Sequence, residues 1–159
     1  MKSKFILAGA AILGLAACGS EPAEEPVAEA PDCPPGVSVT GGWMALAAVE
    51  GNPSAVYFSI ENSAERNYMI RAADVLGYGS AALHQMGEWN LQPSMDELMQ
   101  LDVPAGETIV FEPETVHVMA MAPDGTQEVG GETEVTLTFV GGDKCSFPVE
   151  IRAPGDAPE

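Results

Sequence analysis

The chain has 159 residues, carries 24 Asp and Glu against 6 Lys and Arg, and has a net charge of −18. That acidity opposes binding to nucleic acid or to an anionic lipid surface, and no basic cluster stands ready to hold phosphate. With 46% apolar residues, the length suits one domain around one core.

The chain opens with a basic stretch, Met1-Lys2-Ser3-Lys4, followed by apolar and small residues from Phe5 to Ala17. This run is too short to span a membrane and has the layout of an export signal. It ends Leu15-Ala16-Ala17-Cys18-Gly19, which resembles the lipobox of bacterial lipoproteins. The resemblance implies a signal peptide over residues 1–17, removed on export, and acyl chains on Cys18. The protein would then lie in the periplasm, held to a membrane by its lipid, with the choice of inner or outer membrane open. The alternative is an ordinary secretory signal with an incidental cysteine. Loss of Lys2 and Lys4 leaves Arg66, Arg71, Lys144 and Arg152 against the 24 acids, a net charge of −20.

Residues 18–36 are rich in Pro and Glu and poor in large apolar groups. Such a segment cannot bury a core and reads as an extended, lipid-anchored acidic linker. Cys33 near its end and Cys145 far downstream are the remaining cysteines. In an oxidising compartment an even pair suggests a disulfide that pins the linker to the last strand. Two free thiols or an intermolecular bridge are the other options.

The domain, residues 37–153, reads as all-β. Val56, Phe58 and Ile60 alternate with Tyr57, Ser59 and Glu61, and Val135, Leu137 and Phe139 alternate with Glu134, Thr136 and Thr138. Cys145, Phe147, Val149 and Ile151 continue the pattern after the turn Gly141-Gly142-Asp143. Pro148, on the opposite parity, suits an edge strand. Further strands are expected over Trp43–Ala48, Tyr68–Leu76, Ala81–Met86, Leu98–Val103, Thr108–Phe111 and Val116–Met121. A short helix is conceivable at Ser94–Met99, with Ser94 as its cap and Glu97 three residues on. Eight or nine short strands at this spacing indicate a sandwich or barrel. Residues 154–159 read as a flexible tail.

Two short echoes, His84-Gln85-Met86 and His117-Val118-Met119, contain both histidines of the chain. On a strand, residues i and i+2 share a face, so each echo aims an imidazole and a thioether the same way. Imidazole with thioether, and no carboxylate, selects Cu(I) over harder ions. Taken singly, a methionine is usually a core filler and a strand histidine a satisfied polar group. Taken jointly, the two echoes favour a metal site.

The pattern His84-x10-Met95-x21-His117-x-Met119 resembles the signature of the periplasmic copper chaperones of the PCu(A)C family. The flanks are similar too: Asn52-Pro53-Ser54-Ala55-Val56-Tyr57-Phe58, Val103-Pro104-Ala105-Gly106-Glu107-Thr108, and Val135-Thr136-Leu137-Thr138-Phe139. The resemblance covers roughly residues 40 to 152. It implies a cupredoxin-like Greek-key β-sandwich holding one Cu(I) through His84, Met95, His117 and Met119, with Met86 an auxiliary candidate. Met121 and Met99 read as packing residues. It also implies a monomeric chaperone that is not an enzyme. The copper recipient would be a cytochrome c oxidase subunit or a thiol-based copper chaperone. Two departures stand out. Pro113-Glu114-Thr115-Val116 replaces a glycine-rich approach to the second histidine, and Asp96-Glu97 replaces the basic residues that often follow the middle methionine.

A blue-copper electron carrier would need a cysteine thiolate beside its histidine, which Cys145 lacks. A nucleophile motif, a paired-carboxylate signature and a zinc motif are all missing from the sequence. The remaining rival is an envelope β-sandwich lipoprotein with a structural or adhesive role and no metal.

Overall fold

A computed structural model describes residues 32–156. The expected signal peptide, Cys18, most of the linker and the last three residues lie outside the described residues. Ten strands and no helix make up the described part: β1 (Val37–Ala45), β2 (Ser54–Asn62), β3 (Tyr68–Val75), β4 (Tyr78–Trp89), β5 (Gln92–Leu98), β6 (Leu101–Val103), β7 (Thr108–Phe111), β8 (Val116–Pro123), β9 (Glu132–Phe139) and β10 (Lys144–Arg152).

The strands form one sheet in the order β5-β4-β8-β7-β2-β1-β10-β9-β3-β6. A further pairing of β3 with β4, at Ala73 and Ala81, brings the sheet round on itself. Closure gives each strand an inner and an outer face, and the inner faces meet in one core. Val56, Phe58, Ile60, Leu83, Val118, Val135, Leu137, Phe139 and Phe147 are buried there. Burying each such side chain contributes about 1.5–3 kcal/mol. Phe58 stacks on Phe111 with ring centroids 4.0 Å apart.

Two expectations need correction. Ser94–Met99 is not a helix, because residues 92–98 pair along their whole length with β4. A single helical turn closes few hydrogen bonds for the dihedrals it fixes. The strand instead gains a continuous ladder. Nor is Pro148 on an edge, since β10 lies between β1 and β9. Its missing N–H costs little because β1 pairs with β10 only from Glu150 onward. At the level of Pro148, β1 is bulged between Thr40 and Trp43.

Cys33 and Cys145 are joined in a disulfide, with Cys145 fully buried. The bond fastens the segment before β1 to β10. Asn62 is also fully buried. Its amide donates to the carbonyls of Arg66 at 2.8 Å and Val103 at 2.9 Å, and its Oδ1 accepts from the Ala64 N–H at 3.1 Å. Asn62→Ala would strand the buried Val103 carbonyl and the part-buried Arg66 carbonyl and Ala64 N–H, at a cost of about 3 kcal/mol. Urea unfolding should register that loss, and a change below about 1 kcal/mol would mean the network carries little stability.

Candidate metal centre

The centre is built on the outer face of β4, β5 and β8. Strand alternation dictates that placement. Leu83 and Val118 point into the core, so His84 and His117 beside them point out. The antiparallel register sets His84 directly opposite His117 and Leu83 opposite Val118. The two imidazoles lie nearly parallel, 21° apart, with centroids separated by 6.2 Å.

Met95 reaches the same face through the β4–β5 hairpin. Asn90 and Leu91 form its two-residue turn, both with positive φ, 52° and 63°. That geometry matches the right-handed strand twist, and Asn tolerates it well, while Leu rarely adopts it. The turn sets Met86 opposite Met95 and His84 opposite Glu97. Met95 Sδ lies 3.2 Å from His117 Nε2. Met119 follows His117 on the same face of β8, opposite Ala82 on β4 and Ala55 on β2.

The structure therefore brings His84, His117 and Met95 together, with Met119 one step along β8 and Met86 beside Met95. Met121 shares their face farther along, opposite Ser80. Met99 lies beyond β5 and is largely exposed. The register gives Met86 a closeness to Met95 that sequence spacing alone does not convey.

One wall of the centre escapes sequence reasoning. Tyr57 sits on the outer face of β2, its ring centroid 6.1 Å from that of His117, and Trp43 lies against it at 4.5 Å. Arg152 covers Trp43. These rings help bury His117, which is only 4% exposed, whereas Met95 is 48% exposed. The available signal was the outward parity of Tyr57, but an outward tyrosine on a strand is common.

Burial, and then the charge of His84, hold the His117 pKa below its ordinary value of 6.5. Burial pushes the Tyr57 phenol up, so it stays protonated. The Nδ1 atoms of both histidines are buried and make no hydrogen bond among the described residues. Buried polar atoms ordinarily find partners. Two imidazoles whose Nδ1 atoms have no protein partner among the described residues fit an acceptor of lone pairs. Among the described residues no group of three or more His, Cys, Asp or Glu could hold a metal. The thioether of Met95, against His117, is the further soft donor on this face.

Solved structures share this fold. The copper-bound PCuAC domain from PmoF2 superposes with a TM-score of 0.63 at 17% identity, covering 75% of this chain and 94% of that one. The apo form of the same domain gives 0.66 at 15%, covering 81% and 98%. Apo-DR1885 from Deinococcus radiodurans gives 0.59 at 18%, covering 96% and 100%. The likeness is one of fold, and it agrees with the all-β reading of the sequence. In sequence, the Leifsonia xyli subsp. xyli lipoprotein Lxx21020 is 26% identical over 118 residues, 74% of this chain and 70% of that protein. The profile of the LpqE-like lipoproteins matches residues 37–151, nearly the whole described domain, and the chain belongs to the LpqE-like lipoprotein family.

Proposed function

We propose that this protein is a Cu(I)-binding metallochaperone of the bacterial cell envelope. His84, Met95, His117 and Met119 are its ligands, on a closed sheet read as a cupredoxin-like Greek-key sandwich. The observation that carries the reading is the contact between His117 Nε2 and Met95 Sδ, with His84 facing His117 across the β4–β8 pair. An imidazole against a thioether on an outer face brings together two soft donors with no carboxylate between them. Two of the similar solved structures are described as copper-bound or Cu(I)-bound.

The chemistry suits an oxidising compartment. Thiolates bind Cu(I) tightly but oxidise there, whereas thioethers neither form disulfides nor need deprotonation. A site without thiolate can bind copper and still release it to a partner richer in sulfur. We place residues 1–17 as the signal peptide, Cys18 as the lipid anchor, 18–36 as the tether, 37–153 as the working domain and 154–159 as its tail. The protein acts as a periplasmic monomer without enzymatic activity. Its recipient is the copper centre of cytochrome c oxidase or a thiol-based chaperone on the way to it.

The test is an anaerobic Cu(I) titration against a chromophoric chelator, for wild type and for Met95→Ala with His117→Ala. One-to-one binding that disappears in the double variant supports the site. Equal stoichiometry and affinity in both sinks it and favours the structural lipoprotein.

Acid should weaken the site. Protonated imidazole cannot donate to copper, so affinity falls as pH drops from 7 to 5. Burial and the charge of His84 lower the His117 pKa, so its share of the loss comes at more acid pH than that of an ordinary imidazole. An affinity that stays flat across the range would remove the histidines from the site.

A further inference from the structure

Strand β5 is an edge. It pairs with β4 on one side, and among the described residues no strand pairs with its other side. The Asn90-Leu91 turn makes Trp89 and Gln92 the closing hydrogen-bonded pair. Alternation along an antiparallel ladder then turns the N–H and C=O groups of Gln92, Ser94, Asp96 and Leu98 toward β4. Those of Met95 and Glu97 point away, to the open edge. Pro93 falls on the outward set as well, where a missing N–H breaks no bond to β4. A strand added along this edge would hydrogen-bond to Met95 itself. Its residue opposite Met95 would share the metal face, with Cβ atoms about 5 Å apart.

The surroundings select what can approach. Glu88 and Glu97 flank Met86 and Met95 on the metal face, and Asp96 lies between Met95 and Glu97 on β5. Glu112 and Glu114 sit in the β7–β8 turn, whose Thr115 carbonyl accepts from the Met86 N–H at 2.8 Å. All five acids are exposed. The hairpin and this turn contain no Lys or Arg. Like charge repels a second copy of this acidic chain and an anionic membrane, and it attracts a cationic partner. Trp89, 75% exposed, and Leu91, 90% exposed, offer apolar anchors at the hairpin tip.

We propose that the open edge of β5 is the docking site of a cationic copper-accepting protein, which adds an extended segment to the sheet and so sets a sulfur side chain beside Met95. The proposal rests on the copper-chaperone reading and specifies the chemistry of the recipient. Copper then moves between neighbouring side chains on one sheet face, without opening the core.

The test uses the apo mature chain carrying Cys18→Ser, so that no lipid is attached. The probe is a ten-residue peptide alternating Lys and Thr with one central Met, compared with a Glu-for-Lys version. Amide exchange by NMR should slow about tenfold or more at Met95 and Glu97 on adding the cationic peptide only. Glu97→Pro, which removes an outward N–H, and separately Trp89→Thr with Leu91→Gly should each weaken peptide binding about tenfold. Glycine suits the positive φ at Leu91, so the second variant keeps the turn. Protection elsewhere, equal binding of both peptides, or binding unchanged in both variants would overturn the proposal. So would edge protection that grows with protein concentration in the absence of peptide, which would identify a second copy as the occupant. Cu(I) loading is measured separately without peptide. Failure to load sinks the chaperone reading, whereas loading without edge protection sinks only the docking site.

Discussion

Replacing His117 by alanine is expected to weaken Cu(I) binding by roughly a hundredfold or more, since even residues that merely support metal ligands are worth 10–100-fold. His117 is the hub of the centre. It touches Met95, faces His84, and is held from behind by Tyr57. Its removal deletes a donor and the support for the exposed Met95 side chain. The fold should survive, because His117 lies on the outer face while Val116, Val118 and Ala120 on the other side of β8 keep the core. Chelator competition read with circular dichroism separates these effects. A native spectrum with affinity within threefold of wild type would contradict the prediction. Met119→Leu and Met86→Leu, compared the same way, rank the two thioethers. The expected order is a large loss for Met119 and a small one for Met86. The reverse order would exchange their roles, which the pairing of Met86 with Met95 makes a direct question.

The second large effect is expected from the disulfide. Cys33→Ala with Cys145→Ala releases a link between residues 112 apart in sequence. In the chain-entropy account, a closed loop of about 100 residues is worth about 4.7 kcal/mol at 25 °C. Alanine puts no unpaired polar group into the buried position of Cys145. The double variant should therefore unfold at clearly lower urea, by about 4 kcal/mol in stability, while its copper affinity in native buffer stays near wild type. The two readouts separate because Cys145 lies on β10, four positions from β8 in the sheet order and paired with none of β4, β5 and β8. A stability change below about 1 kcal/mol would show that the unfolded chain is already constrained, or that the bridge is strained when formed.

The inward faces were legible in the sequence because period-2 burial is a local signal. Val56-Phe58-Ile60 and Val135-Leu137-Phe139 announce themselves, and both sets lie in the core. The His-x-Met echoes were legible for the same reason, since parity sends imidazole and thioether to one face wherever the strand lies. Strand β5 was not legible. No strand pairs with its outer edge among the described residues, its residues are half-exposed or exposed, and its turn carries Leu91 where a glycine would have marked a hairpin. A capping pattern at Ser94 and Glu97 then suggested a helix instead. Pro148 misled similarly, because the bulge in β1 that accommodates it belongs to a strand more than 100 residues earlier. Sheet closure through Ala73 and Ala81 and the aromatic wall of Trp43 and Tyr57 depend on such long-range pairings. No window of sequence contains them.

In the proposed centre two imidazoles and two thioethers hold the copper. X-ray absorption at the copper edge of the anaerobically loaded protein tests it most directly. A Cu(I) edge with two nitrogen and two sulfur scatterers is expected, with the loss of one sulfur in Met95→Ala. A first shell of nitrogen and oxygen alone, or a spectrum unchanged by Met95→Ala, would contradict it.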